Sequence, residues 1–314
     1  MDRLFIGIDT SCYTTSAACV SKDGIVVDKR TVLSVNVGEC GLRQSTGVFQ
    51  HIRNLEPTIH ELFDGIDSAL VRSVTVSATP RDVEGSYMPV FLTGRTVASA
   101  VASALNVPLN LTSHQQGHIR AAMFGNEELL NKELLAVHLS GGTTEVLRVK
   151  PYLNAELIGG TGDISAGQFV DRVGVALGLH FPAGKELEKL ALSAGDGYNR
   201  LPVSVKGCTC SFSGVESMAQ RLIAGGESKA DVAYAVYDCI ARTLFGMICA
   251  SGRLTGIGDV LITGGVASSP LLRELLCKKL RTKKINIRIY FGQNVLSSDN
   301  AVGAALIGMD MDRM

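Results

Sequence analysis

The chain has 314 residues, enough for about two domains, and its 46% of hydrophobic residues excludes an intrinsically disordered chain. Thirty basic residues balance thirty acidic ones, so no overall charge recruits nucleic acid or membranes, and any RNA contact must come from a local patch or a partner. The sequence shows no signal-peptide pattern, no apolar run near the ~20 residues of a membrane span and no Cys-x-x-Cys pair, so we expect a cytoplasmic protein with reduced thiols and no membrane contact.

The first half of the chain predicts an α/β unit. Residues 4–31 have the pattern of three short strands, joined by a polar turn and by a Lys-Asp-Gly turn. Residues 47–62 carry apolar side chains at helical spacing and predict an amphipathic helix. A strand at 72–78 and a helix rich in small residues at 94–105 follow, and we expect the break between the halves near 125–134.

The second half repeats this plan, since residues 135–161 again predict strand, polar turn, strand, turn and strand. The elements predicted after them are helices at 165–178, 185–194, 229–252 and 268–281, strands at 259–263 and 285–291, and a closing helix at 299–309. The duplication indicates two related α/β domains with a ligand cleft between them. We place one domain at 1–132 together with the C-terminal helix at 299–314, and the other at 133–298.

Two matched hairpin tips and one strand-to-helix loop end in small and hydroxyl-bearing residues. The tips are Asp9-Thr10-Ser11 and Ser140-Gly141-Gly142-Thr143, and the loop spans 264–269. Exposed backbone N–H groups and hydroxyls at such positions form a nest for a phosphate, and glycine lets the backbone approach the ligand closely. Ordinary turns use the same residues, so a plain structural connection is the alternative at each position.

One histidine pair has metal-ligand spacing. His114 and His118 are four residues apart, so in a helix they would share one face and could bind one metal ion. Asp299, at the start of the closing helix, is the best carboxylate candidate for a third ligand. The alternatives are satisfied surface or core histidines and, for Asp299, a helix N-cap.

Seven motifs, in order along nearly the whole chain, resemble those of the tRNA threonylcarbamoyladenosine transferase family (TsaD, also known as the glycoprotease family). The motifs are GIDTSC at 7–12, HQQGH at 114–118, LSGGT at 139–143, AGQFVDR at 166–172, FPAG at 181–184, SFSG at 211–214 and SDN at 298–300. The resemblance implies the actin/Hsp70/sugar-kinase (ASKHA) fold, with two duplicated RNase H-like α/β domains. The first would carry the metal motif and the second the nucleotide loops.

The same resemblance implies an acyltransferase. It would move a threonylcarbamoyl group from threonylcarbamoyl-AMP to N6 of adenosine 37 in tRNA, with one Fe or Zn ion per chain on His114, His118 and Asp299. No protein nucleophile is assigned, since the adenine amine attacks directly. The implied partners are tRNA, bound directly or through a complex, and a related actin-fold subunit or a second copy of the chain.

An adenine nucleotide or acyl-adenylate is the implied ligand of the loops. Asp171 would hold the ribose, and Gly184 would contact ribose and base. The residues assigned to nucleotide or substrate are Asp9, Thr10, Ser11, Leu139, Ser140, Gly141, Gly142, Thr143, Asp171, Gly184, Gly264, Gly265 and Ser269.

Several positions depart from the family pattern. They are Tyr13 and Thr14 in place of an acidic pair, Thr143 in place of His, Ile164 in place of Asp, Gln168 in place of Glu, and Ser269 in place of Asn. The metal and ribose residues are kept, so two other interpretations stay open. One is a carbamoyltransferase that uses a small molecule or a protein thiol as acceptor. The other is a non-catalytic nucleotide-binding subunit that stabilises an active relative.

Overall fold

The computed structural model describes residues 3–11, 13–35, 42–195, 198–283 and 286–313. Cys12 of the first motif lies outside these residues. The chain divides into two compact units, Met1–Phe124 with Ser298–Met314 (unit 1) and Gly125–Ser297 (unit 2). The domain limits expected from the sequence, at 132 and 298, stay a prediction.

Both units alternate strands and helices along the described chain. The strands are β1 Leu4–Asp9, β2 Thr14–Ser21, β3 Gly24–Val32, β4 Val71–Thr79, β5 Leu109–Ser113, β6 Leu134–Leu139, β7 Thr144–Val149, β8 Ala155–Gly160, β9 Val205–Lys206, β10 Thr209–Cys210, β11 Asp259–Thr263 and β12 Arg288–Phe291. The helices are α1 Gln44–Phe63, α2 Val90–Leu105, α3 His114–Ala122, α4 Ala166–Ala176, α5 Gly184–Ala191, α6 Ser213–Ala224, α7 Lys229–Thr255, α8 Pro270–Lys283 and α9 Val302–Asp312. Strands β9 and β10 form a separate ribbon.

Unit 1 contains a five-stranded sheet in the order β3-β2-β1-β4-β5. Strands β1, β2 and β3 form an antiparallel meander, and β4 and β5 run parallel to β1. Because successive strand residues point to opposite faces, Ile6 and Ile8 join a core with α1 and α2, whereas Gly7 faces the start of α9. A Cβ on Gly7 would lie 2.1 Å from the Ala301 carbonyl oxygen, so only glycine allows this close approach.

Unit 2 contains a second five-stranded sheet, in the order β12-β11-β6-β7-β8. Strands β6, β7 and β8 form an antiparallel meander, and β11 and β12 continue the sheet parallel to β6. The first strand of each unit is therefore central, with the meander on one side and the parallel strands on the other. Phe169, Phe212 and Leu244 are fully buried in the core of this unit. The duplicated topology confirms the predicted fold class of two related α/β domains.

Helix α7 is long and apolar enough to cross a membrane by length and composition alone. However, 78% of its most apolar window is buried inside the protein. Val236, Ile240 and Leu244 have no exposed surface and belong to the core of unit 2. Burial on this scale is what the central helix of a packed domain requires.

Some element limits differ from the prediction. The closing helix begins at Val302 instead of residue 299; its N-cap residue is Ala301, and the Val302 N–H donates to Asn300 Oδ1 at 3.1 Å. The predicted strand at 285–291 is observed from Arg288, and residues 284–285 lie outside the described chain. Strand β5 and helix α6 are absent from the prediction, since β5 is short and α6 buries only two side chains.

Candidate metal centre and nucleotide loops

Helix α3 places two imidazoles on one face. A capping box begins the helix: the Gln116 N–H donates to Ser113 Oγ at 3.2 Å, and the Ser113 N–H donates to Gln116 Oε1 at 3.0 Å. With the helix started at this point, His114 and His118 lie one turn apart on the same face. Their Nε2 atoms are 3.0 Å from each other.

The third side chain of this group is Asp299, from the segment before α9. Its Oδ1 lies 3.3 Å from His118 Nε2 and 3.5 Å from His114 Nε2. Ligand atoms about 2.1 Å from a tetrahedral metal ion are about 3.4 Å from each other, so these three atoms have the spacing of a ligand set. Within the described residues, no other group of three His, Cys, Asp or Glu side chains comes together in this way.

Asp9 lies behind the group and orients His114. Its Oδ2 is 2.9 Å from His114 Nδ1, and its Oδ1 accepts hydrogen bonds from the Ser11 N–H at 2.8 Å and from the Ser11 hydroxyl. A proton on Nδ1, donated to this buried carboxylate, leaves the Nε2 lone pair directed at the other ligand atoms. Sequence reasoning placed Asp9 with the nucleotide ligands and missed this contact, since no local pattern joins residues 9 and 114.

The charges of these side chains are coupled. Burial alone would lower the pKa of His114, but Asp9 and Asp299 outweigh burial and raise that pKa to about 10. Burial would raise the pKa of both acids, yet His114 holds the pKa of Asp9 below its usual value, and His114 and His118 hold that of Asp299 well below. Two carboxylates around two imidazoles favour a positive charge at this point, which a proton or a metal ion can supply.

The donor set fits a transition metal. Two imidazole nitrogens and one carboxylate oxygen are ligands that suit Zn²⁺ or Fe²⁺. Three protein ligands leave a coordination position open, as in catalytic sites rather than in closed structural sites. The carboxylate of Asp9 on the outer nitrogen of His114 is the usual support of a metal-binding imidazole.

In unit 2, the loop after β6 exposes bare backbone. The Ser140 N–H donates to the Thr143 carbonyl at 2.8 Å, and the Thr143 N–H donates to Ser140 Oγ at 3.0 Å, which closes a tight turn. Between them, the N–H groups of Gly141 and Gly142 donate to no other group of the described chain, and no atom lies within 4 Å of a Cβ built on either. This is the open amide nest that a phosphate needs. Leu139 itself is buried at the end of β6.

Asp171 and Gly184 lie on neighbouring elements of unit 2. The Ala183 N–H donates to Asp171 Oδ1 at 2.8 Å, and burial raises the pKa of Asp171 although this bond opposes the shift. The Tyr237 hydroxyl donates to the Gly184 carbonyl at 2.9 Å. A Cβ on Gly184 would meet only Val170, at 3.9 Å, so the start of α5 is open to a ligand.

The loop at 264–269 has mainly structural contacts. Gly264 has φ +102°, and a Cβ there would lie 2.2 Å from the Leu139 carbonyl oxygen, so glycine is required. The Ser269 hydroxyl donates to Glu188 Oε1 at 2.7 Å and accepts from the Leu272 N–H at 3.1 Å, which caps α8. Gly265 has open space at its Cβ position. The Gly265 carbonyl accepts from the Ser268 N–H at 3.3 Å and from the Ser268 hydroxyl at 2.5 Å, so all three predicted ligands of this loop have structural contacts.

The first hairpin tip uses its side chains within unit 1. The Thr10 hydroxyl donates to the Val90 carbonyl at 2.9 Å and accepts from the Gly94 N–H at 3.1 Å, and the Ser11 hydroxyl donates to Asp9. All three side chains of this tip are buried. Their assignment to a nucleotide stays a prediction; the contacts of Asp9 and Ser11 lead to His114, and those of Thr10 lead to α2.

Two positions near the family departures also have structural contacts. The Ser165 N–H donates to Gln168 Oε1 at 3.2 Å, and the Gln168 N–H donates to Ser165 Oγ at 3.0 Å, so Gln168 completes the capping box that begins α4. Asp163 accepts from the Phe212 N–H at 2.9 Å, from the next N–H and from the two flanking serine hydroxyls. Burial would raise the pKa of Asp163, but these four donors hold it well below its usual value.

A family model for tRNA N6-adenosine threonylcarbamoyltransferase matches residues 46–306 of the chain. A relative of that name from Neorickettsia sennetsu is 26% identical over 96% of this chain and 91% of its own length. Another, from Thermus thermophilus, is 30% identical over 96% of this chain and 90% of its own length.

Solved structures with low sequence identity share the fold. Component A of (R)-2-hydroxyglutaryl-CoA dehydratase from Acidaminococcus fermentans matches with a TM-score of 0.60 and 17% identity, over 99% of this chain and 100% of that one. Full-length HypF in its phosphate- and nucleotide-bound form matches with a TM-score of 0.62 and 15% identity, over 97% of this chain and 46% of that one. A ROK family glucokinase from Streptomyces griseus matches with a TM-score of 0.56 and 13% identity, over 98% of this chain and 99% of that one. These neighbours confirm a two-domain actin-like fold, and the family match over most of the chain shows that it belongs to the tRNA N6-adenosine threonylcarbamoyltransferase family of acyltransferases.

Proposed function

We propose that the chain transfers a threonylcarbamoyl group from threonylcarbamoyl-AMP to N6 of adenosine 37 in tRNA. The observation that carries the proposal is the group of His114, His118 and Asp299, whose ligand atoms lie 3.0–3.5 Å apart with Asp9 behind His114. The names of the relatives, which cover nearly the whole chain, support the same reaction.

The residues of unit 1 would hold the metal. His114 and His118 would bind it through Nε2 and Asp299 through Oδ1, and Asp9 would keep the proton of His114 on Nδ1. When bound, Fe or Zn would supply a Lewis acid that polarises an oxygen of the acyl-adenylate. The chain's own contribution is to fix this charge in a buried setting, where it acts more strongly than in water.

The residues of unit 2 would hold the adenylate. The free N–H groups of Gly141 and Gly142 would donate to the phosphate, and Asp171 would accept hydrogen bonds from ribose hydroxyls through Oδ2. The adenosine amine would then attack the carbamoyl carbonyl carbon. The bond from this carbon to the phosphate oxygen would break, AMP would leave, and the amine would release one proton.

The family departures predict a slow reaction for the isolated chain. Tyr13 and Thr14 replace two carboxylates, and Thr143 replaces an imidazole, so acid-base groups of the family pattern are missing. Losing a positioned acid-base group typically costs about 10²–10⁴ in rate. We therefore expect turnover to rise with a partner, either a related actin-fold subunit or a second copy of the chain, and to take place in the cytoplasm, in keeping with the free cysteines of the described chain.

Two other candidates follow from the same replacements. A carbamoyltransferase with another acceptor would keep the metal group and Asp171 while the surroundings of the reacting group change. A non-catalytic nucleotide-binding subunit would keep the open loop at Gly141 and Gly142 and need no acid-base group. The exposed Tyr13, in place of a carboxylate, favours these candidates over a fast transferase.

The test is a reconstituted reaction. The chain is incubated with bicarbonate, threonine, ATP, a separate threonylcarbamoyl-AMP synthase and unmodified tRNA, and modified adenosine is measured by mass spectrometry. We expect product from the wild-type chain with its partners and none from His118→Ala. Absence of product with partners present, while nucleotide still binds, would contradict the transferase and favour the non-catalytic subunit.

A further inference from the structure

Packing, rather than chain connection, places the third ligand in unit 1. The chain leaves this unit after Phe124 and returns at Ser298, so Asp299 reaches His114 and His118 from a separate segment. Asp299 precedes α9, and α9 packs on α3, the helix that carries both histidines. The position of Asp299 therefore depends on how α9 is fixed against α3.

The first contact between these helices is a crossing of two glycines. A Cβ on Gly303 would lie 1.9 Å from the Gly117 carbonyl oxygen, so the two backbones touch directly. Gly117 lies immediately before His118, and Gly303 lies in the first turn of α9. This contact sets how closely the two helices approach at this point, while α9 also packs on β1, β2 and β4 of the sheet.

The second contact is an ion pair between a buried arginine and a partly exposed aspartate, farther along both helices. Arg120 Nε donates to Asp310 Oδ2 at 2.5 Å, and Arg120 Nη2 donates to Asp310 Oδ1 at 3.2 Å. The Arg120 side chain is 2% exposed, and its Nη1 has no hydrogen-bond partner in the described chain. A bidentate pair between a planar guanidinium and a carboxylate has a defined orientation, and the guanidinium is buried while Asp310 is 23% exposed.

We propose that the Arg120–Asp310 pair is a positioning contact for the metal ligands. In addition to the glycine crossing and the packing of α9 on the sheet, it gives α9 a second fixed point on α3, and this contributes to the angle that holds Asp299 Oδ1 against the two Nε2 atoms. The inference rests on the proposed metal site. Arg120 and Asp310 touch neither metal nor substrate in this role, so they act through Asp299.

The experiment measures the Zn²⁺ affinity of the full chain by competition with a chelator, for wild type and for Arg120→Met. Mutating a group that supports metal ligands typically weakens binding about 10–100-fold, and we expect a loss in that range. Arg3→Met is the matched control. Arg3 pairs with Asp312 at 2.6 Å near the end of the same helix, but it is 61% exposed, so its loss should leave the affinity unchanged.

A double variant separates positioning from stability. Apolar side chains often replace a buried ion pair without loss of stability, so Arg120→Met with Asp310→Leu should melt near the wild-type temperature without metal. We expect its Zn²⁺ affinity to stay low, because an apolar contact does not fix the helix angle. Wild-type affinity in the double variant would overturn the proposal.

Two further variants keep the outcomes distinct. If Arg120→Met does not fold, Asp310→Asn removes the charge and keeps the shape, and it should also bind Zn²⁺ about tenfold or more weakly. His118→Ala reports on the site itself. If His118→Ala keeps its metal, the proposed metal site is wrong; if it loses the metal while a folded Arg120→Met or Asp310→Asn binds as wild type, only the positioning role is wrong.

Discussion

The candidate ligand sites of the two units are built from different kinds of groups. In unit 1 the candidate site consists of side chains from three separate segments of the chain. These titratable groups lie against one another, and they are Asp9, His114, His118 and Asp299. In unit 2 the candidate phosphate loop is mostly backbone, with two glycines whose N–H groups donate to no described group and whose Cβ positions are open.

The difference predicts different sensitivities. A buried side-chain group depends on every member, since removing one partner leaves another charge uncompensated, at a cost of about 3–5 kcal/mol. An amide nest tolerates changes around it and is lost only when a side chain fills its space. Substitutions in unit 1 should therefore change metal binding and leave nucleotide binding unchanged, and substitutions in unit 2 should do the reverse.

The largest expected effect is loss of the metal from His118→Ala. The remaining imidazole and carboxylate cannot hold a transition metal tightly, so metal content should fall from about one ion per chain to none. Elemental analysis of purified protein measures this. His60→Ala, on the exposed side of α1, is the control and should keep the metal. Retention of metal by His118→Ala would show that the ligands lie elsewhere.

A smaller effect is expected from Gly142→Val in unit 2. The new side chain would occupy the open space at the amide nest, and the loss of one hydrogen bond to a charged phosphate, worth ~1.5 kcal/mol, should weaken AMP binding about tenfold. Isothermal titration measures the affinity, and metal content should not change. Gly195→Val is the matched control, since its Cβ position is also open. Equal AMP affinity in wild type and Gly142→Val would exclude this loop as the phosphate site.

The pH dependence of metal binding measures the effect of the two carboxylates on His114. Because Asp9 and Asp299 raise the pKa of His114 to about 10 against the effect of burial, the metal must displace a proton at pH 7. Zn²⁺ affinity should rise about tenfold per pH unit between pH 7 and 9. Asp9→Asn removes one of the two carboxylates that raise the pKa of His114, so the rise in affinity should be smaller. A wild-type affinity that does not change with pH would contradict this account.

In the metal-free protein, stability should fall as the pH rises, whereas the affinity for metal should rise. The raised pKa of His114 stabilises the folded state. This contribution is fully present below 6.5, the pKa of the unfolded state, and is lost as the pH rises through about 10. The melting temperature of metal-free wild type should therefore fall from pH 7 to 10, and that of Asp9→Asn should fall less. Thermal unfolding in the presence of a chelator measures both.

The smallest effect concerns Ser269, a predicted nucleotide ligand. Its hydroxyl caps α8 and donates to Glu188, so Ser269→Ala should lower the free energy of unfolding by about 1 kcal/mol. AMP affinity should change less than twofold, because the hydroxyl is already bonded within unit 2. Denaturant unfolding and titration measure the two quantities. A large loss of AMP affinity would instead restore Ser269 to the ligand set.

Local patterns were sufficient for most of the fold. The strand-turn-strand repeats at 4–31 and 135–161 predicted both meanders, because period-two apolar patterns and glycine turns act over a few residues. The spacing of His114 and His118 predicted a shared helix face for the same reason, and the strand at 259–263 was correct at both ends. The predicted start of the last helix was wrong, because the residues before Val302 form other contacts, such as that of Asn300 Oδ1 with the Val302 N–H.

Contacts between distant residues were decided only by the tertiary structure. Asp9 and His114 are 105 residues apart, Arg120 and Asp310 are 190 apart, and Ser269 and Glu188 are 81 apart. No periodicity in the sequence encodes such a pair, because each depends on which faces of the sheets and helices pack together. The sequence by itself determined the family, the repeated sheets and the two histidines on one helix. Packing decided that Asp9 contacts His114, since buried charges and hydrogen-bonding groups must find partners wherever the fold places them.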